Sequence, residues 1–143
     1  MNKRSYSSGL FYCTSTKRIL LYSPGKNPSA RSWRFIGSSY KNKKGQQPVN
    51  ALRSEIYKKL GLESTTSSIR KLYDYANAKT KKHNYVFFIT TSKEIKFKNL
   101  SSKSMVSWFS LKKAWKLNLS KQTRKDLFFF QKKLIAAEKF NFL

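Results

Sequence analysis

Short runs of apolar residues alternate with polar, lysine-rich stretches along this chain of 143 residues. Runs rich in aromatic and β-branched side chains, bounded by turn-forming residues, are typical of β-strands. This pattern predicts strands at residues 9–13, 18–22, 33–37, 69–75, 85–91 and 105–109, and a half-exposed strand at 95–98. The run at 85–91 has an unbroken apolar core, which indicates a central strand buried on both faces.

A different spacing marks the helices. Val49, Leu52, Ile56 and Leu60 recur at intervals of three and four residues, so they predict one apolar face of a helix. Pro48 is suited to its first turn, with Gln46 or Gln47 near the cap, and Gly61 to its end. Two more helices are predicted to begin after Ser110 and Ser120, since a serine hydroxyl can cap the free backbone amides there. The last helix has apolar residues at Leu127, Phe128, Phe130, Leu134 and Ile135.

These elements make up one domain covering residues 1–143, with no internal repeat. We predict a flexible basic N-terminus at residues 1–7 and a C-terminal tail at residues 135–143. The opening is also compatible with an organellar transit peptide, because it is rich in serine and basic residues and has no acidic residue before Glu55. The strands at 9–13 and 18–22 favour a folded start instead. No apolar run reaches the roughly 20 residues of a membrane helix.

The net charge of the chain is the composition feature that says most about its partners. The chain has 31 Lys+Arg residues and 6 Asp+Glu residues, a formal net charge of +25. A free domain with this charge would repel itself, so a polyanionic partner is expected. Nucleic acid is the commonest such partner, and an acidic membrane or an acidic protein would also satisfy the charge. The single cysteine, Cys13, excludes an internal disulfide.

The stretch from Trp33 to Leu62 combines an aromatic strand, a Gly-Ser-Ser turn, a basic loop and a short helix. It resembles the Nudix box, the signature of the Nudix hydrolase superfamily, whose helix reads Arg-Glu-U-x-Glu-Glu-x-Gly-U with U aliphatic. Four residues match that pattern: Glu55, Ile56, Gly61 and Leu62. Upstream, Trp33-Arg34-Phe35-Ile36-Gly37 is similar to the family's Trp-x-Phe-Pro-Gly. The resemblance implies an α/β (α+β) Nudix fold, in which a mixed β-sheet is sandwiched between helices.

The box is degenerate at the positions that carry the catalytic carboxylates in the family. Lys58 and Lys59 stand where the family has its two metal-binding glutamates, and Gln46 stands at the upstream glutamate. A Nudix hydrolase uses such carboxylates to hold Mg²⁺ on a diphosphate, since this hard ion demands oxygen ligands. Only Glu55 is retained, and it also fits an ordinary helix-surface pair with a lysine one turn later. We therefore expect no catalytic residue, no metal and no cofactor.

Positive side chains in the place of carboxylates would bind phosphate directly, without activating water. The loop before the helix is basic, and Tyr40 in it could stack on a base. The residues expected to contact nucleic acid are Arg34, Tyr40, Lys41, Lys43, Lys44, Arg53, Lys58 and Lys59. For any single lysine the alternative is a solvated surface residue with no ligand.

The sequence thus favours a catalytically inactive Nudix-fold protein that binds nucleic acid, with RNA favoured, as a component of a ribonucleoprotein or multisubunit assembly. One alternative is an active pyrophosphohydrolase of nucleoside diphosphate derivatives or RNA 5′ ends, using carboxylates from outside the box. Another is a protein that sequesters a nucleotide. The expected partners are RNA and other subunits, with no membrane. The expected location is intracellular: the cytoplasm, including a host cytoplasm for a viral protein, or an organelle matrix.

Overall fold

The computed structural model describes residues 4–24, 31–41, 47–62, 69–97 and 105–140. The secondary-structure elements, in chain order, are β1 Arg4–Cys13, β2 Arg18–Ser23, β3 Ile36–Lys41, α1 Pro48–Leu60, β4 Ile69–Ala76, β5 His83–Thr91, β6 Met105–Ser110, α2 Leu111–Ala114 and α3 Lys121–Phe140. None of the described helices is long and apolar enough to cross a membrane.

Strand β1 is the centre of a mixed six-stranded sheet with the order β4-β5-β1-β2-β6, and β3 also pairs with β1. One edge of β1 runs parallel to β5. Its other edge is shared, since the residues up to Gly9 pair antiparallel with β3 and the last two residues pair with β2. This division leaves β1 with hydrogen-bonded neighbours on both sides.

Helices cover both faces of the sheet. On one face, Leu52, Ile56 and Leu60 of α1 pack against a cluster that includes Phe11 and Phe87. On the other face, α3 contributes its core residues to a cluster that includes Leu10 and Tyr12 of β1. Neighbouring residues of β1 serve opposite layers because successive side chains of a strand point to opposite faces. The predicted sandwich of a mixed sheet between helices is confirmed.

Several local predictions are also confirmed. The four residues from Val86 to Ile89 are all buried, as expected for a central strand. Helix α1 begins at Pro48 and ends at Leu60, and the following Gly61 caps it with a left-handed φ of 67°. The hydroxyl of Ser110 accepts a hydrogen bond from the Lys113 amide at 3.2 Å, and that of Ser120 accepts one from the Thr123 amide at 3.2 Å.

The N-terminal prediction is wrong for residues 4–7, which belong to β1. They pair with β3, and Tyr6 and Ser7 also pair with β5. The same pairing corrects the third strand, which we predicted at 33–37. Gly37, Ser38 and Ser39 are not a turn but the middle of β3, opposite Ser8, Ser7 and Tyr6. The preceding Trp33 and Arg34 make only isolated bridges.

Two further corrections concern the C-terminal half. Helix α3 continues to Phe140, so residues 135–140 are not a separate tail. Residues 95–97 do not form the predicted strand. The backbone carbonyl of Ile95 instead accepts a hydrogen bond from the Trp108 indole at 3.1 Å, and Phe97 stacks on the same indole. Side-chain contacts with β6 therefore hold this segment without a strand ladder.

Candidate functional site

A cavity of about 380 Å³ lies between the sheet and α3. Its floor is polar because β1 places Tyr6 and Ser8 on the face where Leu10 and Tyr12 continue the core. The neighbouring strands match this polarity, since Ser39 of β3 and Asn84 of β5 both lie opposite Tyr6. Small and polar side chains therefore leave space that larger apolar ones would fill.

The start of α3 forms the other wall through Ser120, Gln122, Thr123 and Asp126. Positive charge comes from Arg34, which follows the bridge residue Trp33, and from Lys82, which precedes β5. A cavity with many polar side chains, two cations and the apolar ring of Phe35 in its lining suits a flat ligand that carries an anionic group.

Among the residues that the structure describes, Asp126 is the one acidic side chain that lines the cavity, and it is only 2% exposed. Its Oδ1 accepts hydrogen bonds from the Gln122 amide at 2.7 Å and from the Tyr73 hydroxyl. Burial raises the pKa of Asp126, and this outweighs the lowering by these hydrogen bonds and by Lys125. Burial of Tyr73 and its hydrogen bond with Asp126 raise the pKa of Tyr73, so its hydroxyl remains protonated and donates.

A β-bulge is what brings Tyr73 to Asp126. Lys71 pairs with Phe87 and Tyr73 pairs with Val86, so the register skips Leu72. An extra residue in one strand reverses the faces of all residues that follow it. Without the bulge Tyr73 would point towards α1, and with it Tyr73 and Tyr75 point towards α3.

Tyr6, in the floor of the cavity, is influenced by charges on both α1 and α3. Burial raises its pKa, the nearby cations Arg34 and Lys59 lower it, and Glu55 and Asp126 raise it. Its hydroxyl lies so close to Gly37 that a Cβ atom there would be 2.5 Å away. Any side chain at this point of β3 would therefore force the Tyr6 ring or the Ser7 backbone to shift.

On α1, Lys59 is already engaged by the protein itself. Its ammonium lies 3.2 Å from Glu55 Oε1 and donates to the Tyr22 hydroxyl at 3.2 Å. It also lies 4.4 Å from the centre of the Tyr22 ring. Partial burial lowers the pKa of Lys59, but the hydrogen bonds with Tyr22 and Glu55 outweigh burial and raise it. Lys59 is therefore charged at neutral pH and neutralises Glu55.

The other predicted contact residues are dispersed. Arg34 lines the cavity, Lys41 is exposed at the end of β3, and Lys58 is exposed on α1. Arg53 is half-buried on α1. Lys43, Lys44 and Gln46 lie outside the described residues.

One of these predictions is wrong. Tyr40 is only 6% exposed, and it lies within β3 opposite Ser5. Its ring therefore offers no free face to a base, and burial raises its pKa. The reason is the shifted third strand, which turns the expected loop position into a buried strand position.

No group of three or more His, Cys, Asp and Glu side chains forms a metal site within the part of the chain that the structure describes. His83 contacts Asp74 at 2.7 Å, and Lys71 contacts the same carboxylate at 2.7 Å. Glu94 pairs with Arg18 at 3.6 Å. These acids are thus matched by cations of the chain, and Cys13 is fully buried.

The cavity residues other than Arg34 were not predicted from sequence. The available signal was the segment Ser5-Tyr6-Ser7-Ser8, whose alternate positions are polar just before the apolar part of β1. We predicted a flexible end because this segment has few apolar side chains. A strand that lines a polar cavity and a surface loop can have the same polar sequence.

The overall fold recurs in known structures. The NUDIX domain of Shewanella oneidensis NrtR, complexed with ADP ribose, superposes with a TM-score of 0.72 at 12% identity, covering 94% of this chain and 90% of that one. The Escherichia coli dihydroneopterin triphosphate pyrophosphohydrolase superposes with a TM-score of 0.66 at 13% identity, covering 86% and 91%. The chain has the Nudix fold.

A third similar structure, the E. coli ORF135 protein, has a TM-score of 0.68 at 16% identity and covers 95% of this chain and 94% of its own. No family model and no curated protein matches the sequence. The likeness is therefore one of the Nudix fold. Within that fold, the Glu55–Lys59 pair lies on α1, the helix whose sequence resembles the Nudix box.

Proposed function

We propose that this chain is a Nudix-fold protein that binds RNA and does not hydrolyse diphosphates. The observation that carries the proposal is the contact between Lys59 and Glu55, in which an ammonium of the chain neutralises the one carboxylate retained from the box. A divalent ion about 4 Å from a lysine meets repulsion of roughly 8 kcal/mol at an effective dielectric near 20. The attraction of one carboxylate at the same distance only cancels that cost.

Binding of a polyanion is supported by the imbalance of charge. Six acidic residues cannot neutralise 31 cations. Asp74 and Glu94 are already paired with cations of the chain, and Asp126 is buried. The remaining positive surface favours a polyphosphate partner, whose affinity arises largely from the release of counterions.

The cavity supports a nucleotide unit as the group that is recognised. Its volume of about 380 Å³ is within the range of small-molecule sites. Arg34 and Lys82 can contact a phosphate, and Asn84 and Gln122 can hydrogen-bond a base edge. The NrtR domain of the same fold is described in complex with ADP ribose, a ligand that contains a nucleotide.

Two measurements test the proposal. In the first, fluorescence anisotropy follows a labelled RNA between about 50 and 200 mM salt, where the Kd is expected to rise steeply. The variant Arg34→Ala with Lys82→Ala removes the two cavity cations and should weaken binding. The exposed pair Lys79→Ala with Lys96→Ala removes the same charge at two residues that do not line the cavity and is the matched control. RNA binding that is absent at low salt would refute the proposal.

In the second measurement, chromatography follows the cleavage products of nucleoside diphosphate derivatives and of RNA with a 5′ triphosphate, in the presence of Mg²⁺ or Mn²⁺. We expect no turnover above a protein-free control. Turnover that depends on the metal and is lost in Glu55→Gln would favour the hydrolase alternative. Stoichiometric binding of a free nucleotide without RNA binding would favour sequestration, since the cavity of about 380 Å³ also suits a small ligand.

A further inference from the structure

Four aromatic rings form a continuous surface strip along β4 and α3, here called the aromatic ledge: Tyr75, Tyr73, Phe129 and Phe128. Tyr75 and Tyr73 stack with their ring centres 5.5 Å apart. Tyr73 contacts Phe129 at 4.8 Å, and Phe129 contacts Phe128 at 6.0 Å. Because Tyr73 is aimed at α3 by the bulge in β4, the ledge exists only in the folded chain.

The outer rings of the ledge are not needed for the core. Helix α3 uses Leu127, Phe130 and Leu134 for that purpose, at intervals of three and four residues. Phe128 is 49% exposed and Phe129 is 40% exposed. Two adjacent exposed phenylalanines cost solubility without adding to the buried core, which indicates a partner that covers them.

Cations lie directly against the ledge. Lys125 places its ammonium 4.7 Å from the centre of the Tyr75 ring, and Lys132 places its own 4.7 Å from that of Phe128. Helix α3 has six basic residues, against Glu138 and the buried Asp126. The partner must therefore offer both flat apolar groups and negative charge.

The ledge also begins at the wall of the cavity, since the Tyr73 hydroxyl donates to Asp126. From Gln122, which lines the cavity, to Phe129 the helix rises by about 10 Å, at roughly 1.5 Å per residue. That distance corresponds to about three nucleotides at the stacked spacing of 3.4 Å. A strand that starts in the cavity would reach the outer phenylalanines within a few nucleotides.

We propose that the aromatic ledge binds unpaired bases of single-stranded RNA, which stack on its exposed rings, Phe128 and Phe129, while Lys125 and Lys132 contact the adjacent phosphates. This inference rests on the proposed RNA-binding function. It specifies which surface contacts the RNA and that the RNA is single-stranded. Every base has a π-face that can stack on an aromatic side chain, whereas the bases of a duplex are already stacked on each other. The ledge therefore selects single strands by geometry and not by sequence.

The test compares a short labelled single-stranded RNA with the same RNA annealed to its complement. We expect Phe128→Ala with Phe129→Ala to raise the Kd for the single strand by at least about ten-fold, as lost stacking does, and to leave the duplex within about two-fold. Ile135→Ala, which changes an apolar residue of α3 that is 58% exposed, is the matched control and should bind like the parent. Thermal unfolding confirms that each variant is folded.

Salt dependence separates stacking from charge. The phenylalanine variants should keep the parent slope of log Kd against log salt, and Lys125→Ala with Lys132→Ala should lower that slope by roughly two. Equal losses for single strand and duplex, or no loss in the phenylalanine variants, would overturn the ledge while leaving RNA binding intact. Displacement of the RNA by polyglutamate that needs both phenylalanines would assign the ledge to an acidic polypeptide and overturn it as well. A parent protein that binds no RNA would overturn the proposed function itself.

Discussion

Lys59→Met gives the sharpest test of the ion pair on α1. The substitution keeps most of the side-chain volume and removes the ammonium, so Glu55 loses its cation and the Tyr22 hydroxyl loses its donor. Lys58→Met is the matched control, since Lys58 is the adjacent residue and is exposed. Comparing the two separates loss of the pair from loss of one positive charge.

The magnitude follows from burial. The Glu55 side chain is 14% exposed and that of Lys59 is 30% exposed, so the pair lies between the surface and buried cases. Surface pairs contribute about 0.2–1 kcal/mol, and breaking a fully buried pair costs about 3–5 kcal/mol. A lost hydrogen bond to Tyr22 adds roughly 1 kcal/mol. We expect Lys59→Met to cost about 2 kcal/mol, or roughly 6 °C in Tm for a chain of this length, and Lys58→Met to stay within about 0.5 kcal/mol.

A double-mutant cycle with Glu55→Gln, measured by urea denaturation, isolates the interaction between the two side chains. We expect a coupling free energy of about 1 kcal/mol, smaller at high salt because part of the pair is screened. A coupling free energy below about 0.3 kcal/mol would refute the reasoning. Glu55 would then be free to bind a metal, and the main argument against hydrolysis would fail.

Three other predictions address the cavity and the box. Gly37→Ala should destabilise the protein by about 1–3 kcal/mol in urea denaturation, because the added methyl group overlaps the Tyr6 ring and a backbone oxygen. Adding Tyr6→Ala should recover part of that loss, and strictly additive effects would contradict the proposed overlap. Asp126→Asn should raise stability at pH 7. The folded-state pKa of Asp126 is raised, so the stabilisation due to its proton is complete below the unfolded pKa and is lost as pH rises through the folded one. The advantage of the variant should therefore vanish near pH 3, and an advantage that does not change with pH would disprove this cause. Lys58→Glu with Lys59→Glu should produce Mn²⁺ binding in calorimetry at least about ten-fold stronger than that of the parent, since carboxylates replace ammonium groups. Equal heats for both proteins would show that the box lacks more than these two ligands.

The helices and the central strands could be predicted because the spacing of their apolar residues fits only one type of secondary structure. The spacing of Leu52, Ile56 and Leu60 leaves α1 one apolar face, and the run from Val86 to Ile89 suits a strand covered on both sides. The resemblance around the box then indicated the sandwich, which the structure confirms. The assigned nucleic-acid contacts remain predictions, apart from the buried Tyr40.

The start of β1 could not be predicted because its polar residues gain their role from other elements. Tyr6 and Ser8 become part of a cavity only when Ser39, Asn84 and the start of α3 surround them. The same applies to β3, whose Gly37-Ser38-Ser39 segment reads as a turn by local propensity. Pairing with β1 overrides that propensity and moves the strand towards Lys41.

The sequence by itself determined the charge, the apolar faces of the helices and the order of the elements, since each depends on residues close together in the chain. Only the tertiary structure decided which polar groups meet. Lys59 reaches the Tyr22 hydroxyl, 37 positions away in the chain, because α1 packs on the sheet. Tyr73 reaches Asp126 because one bulge in β4 reverses its face. These contacts join residues far apart in sequence, and a one-residue change of register would abolish them.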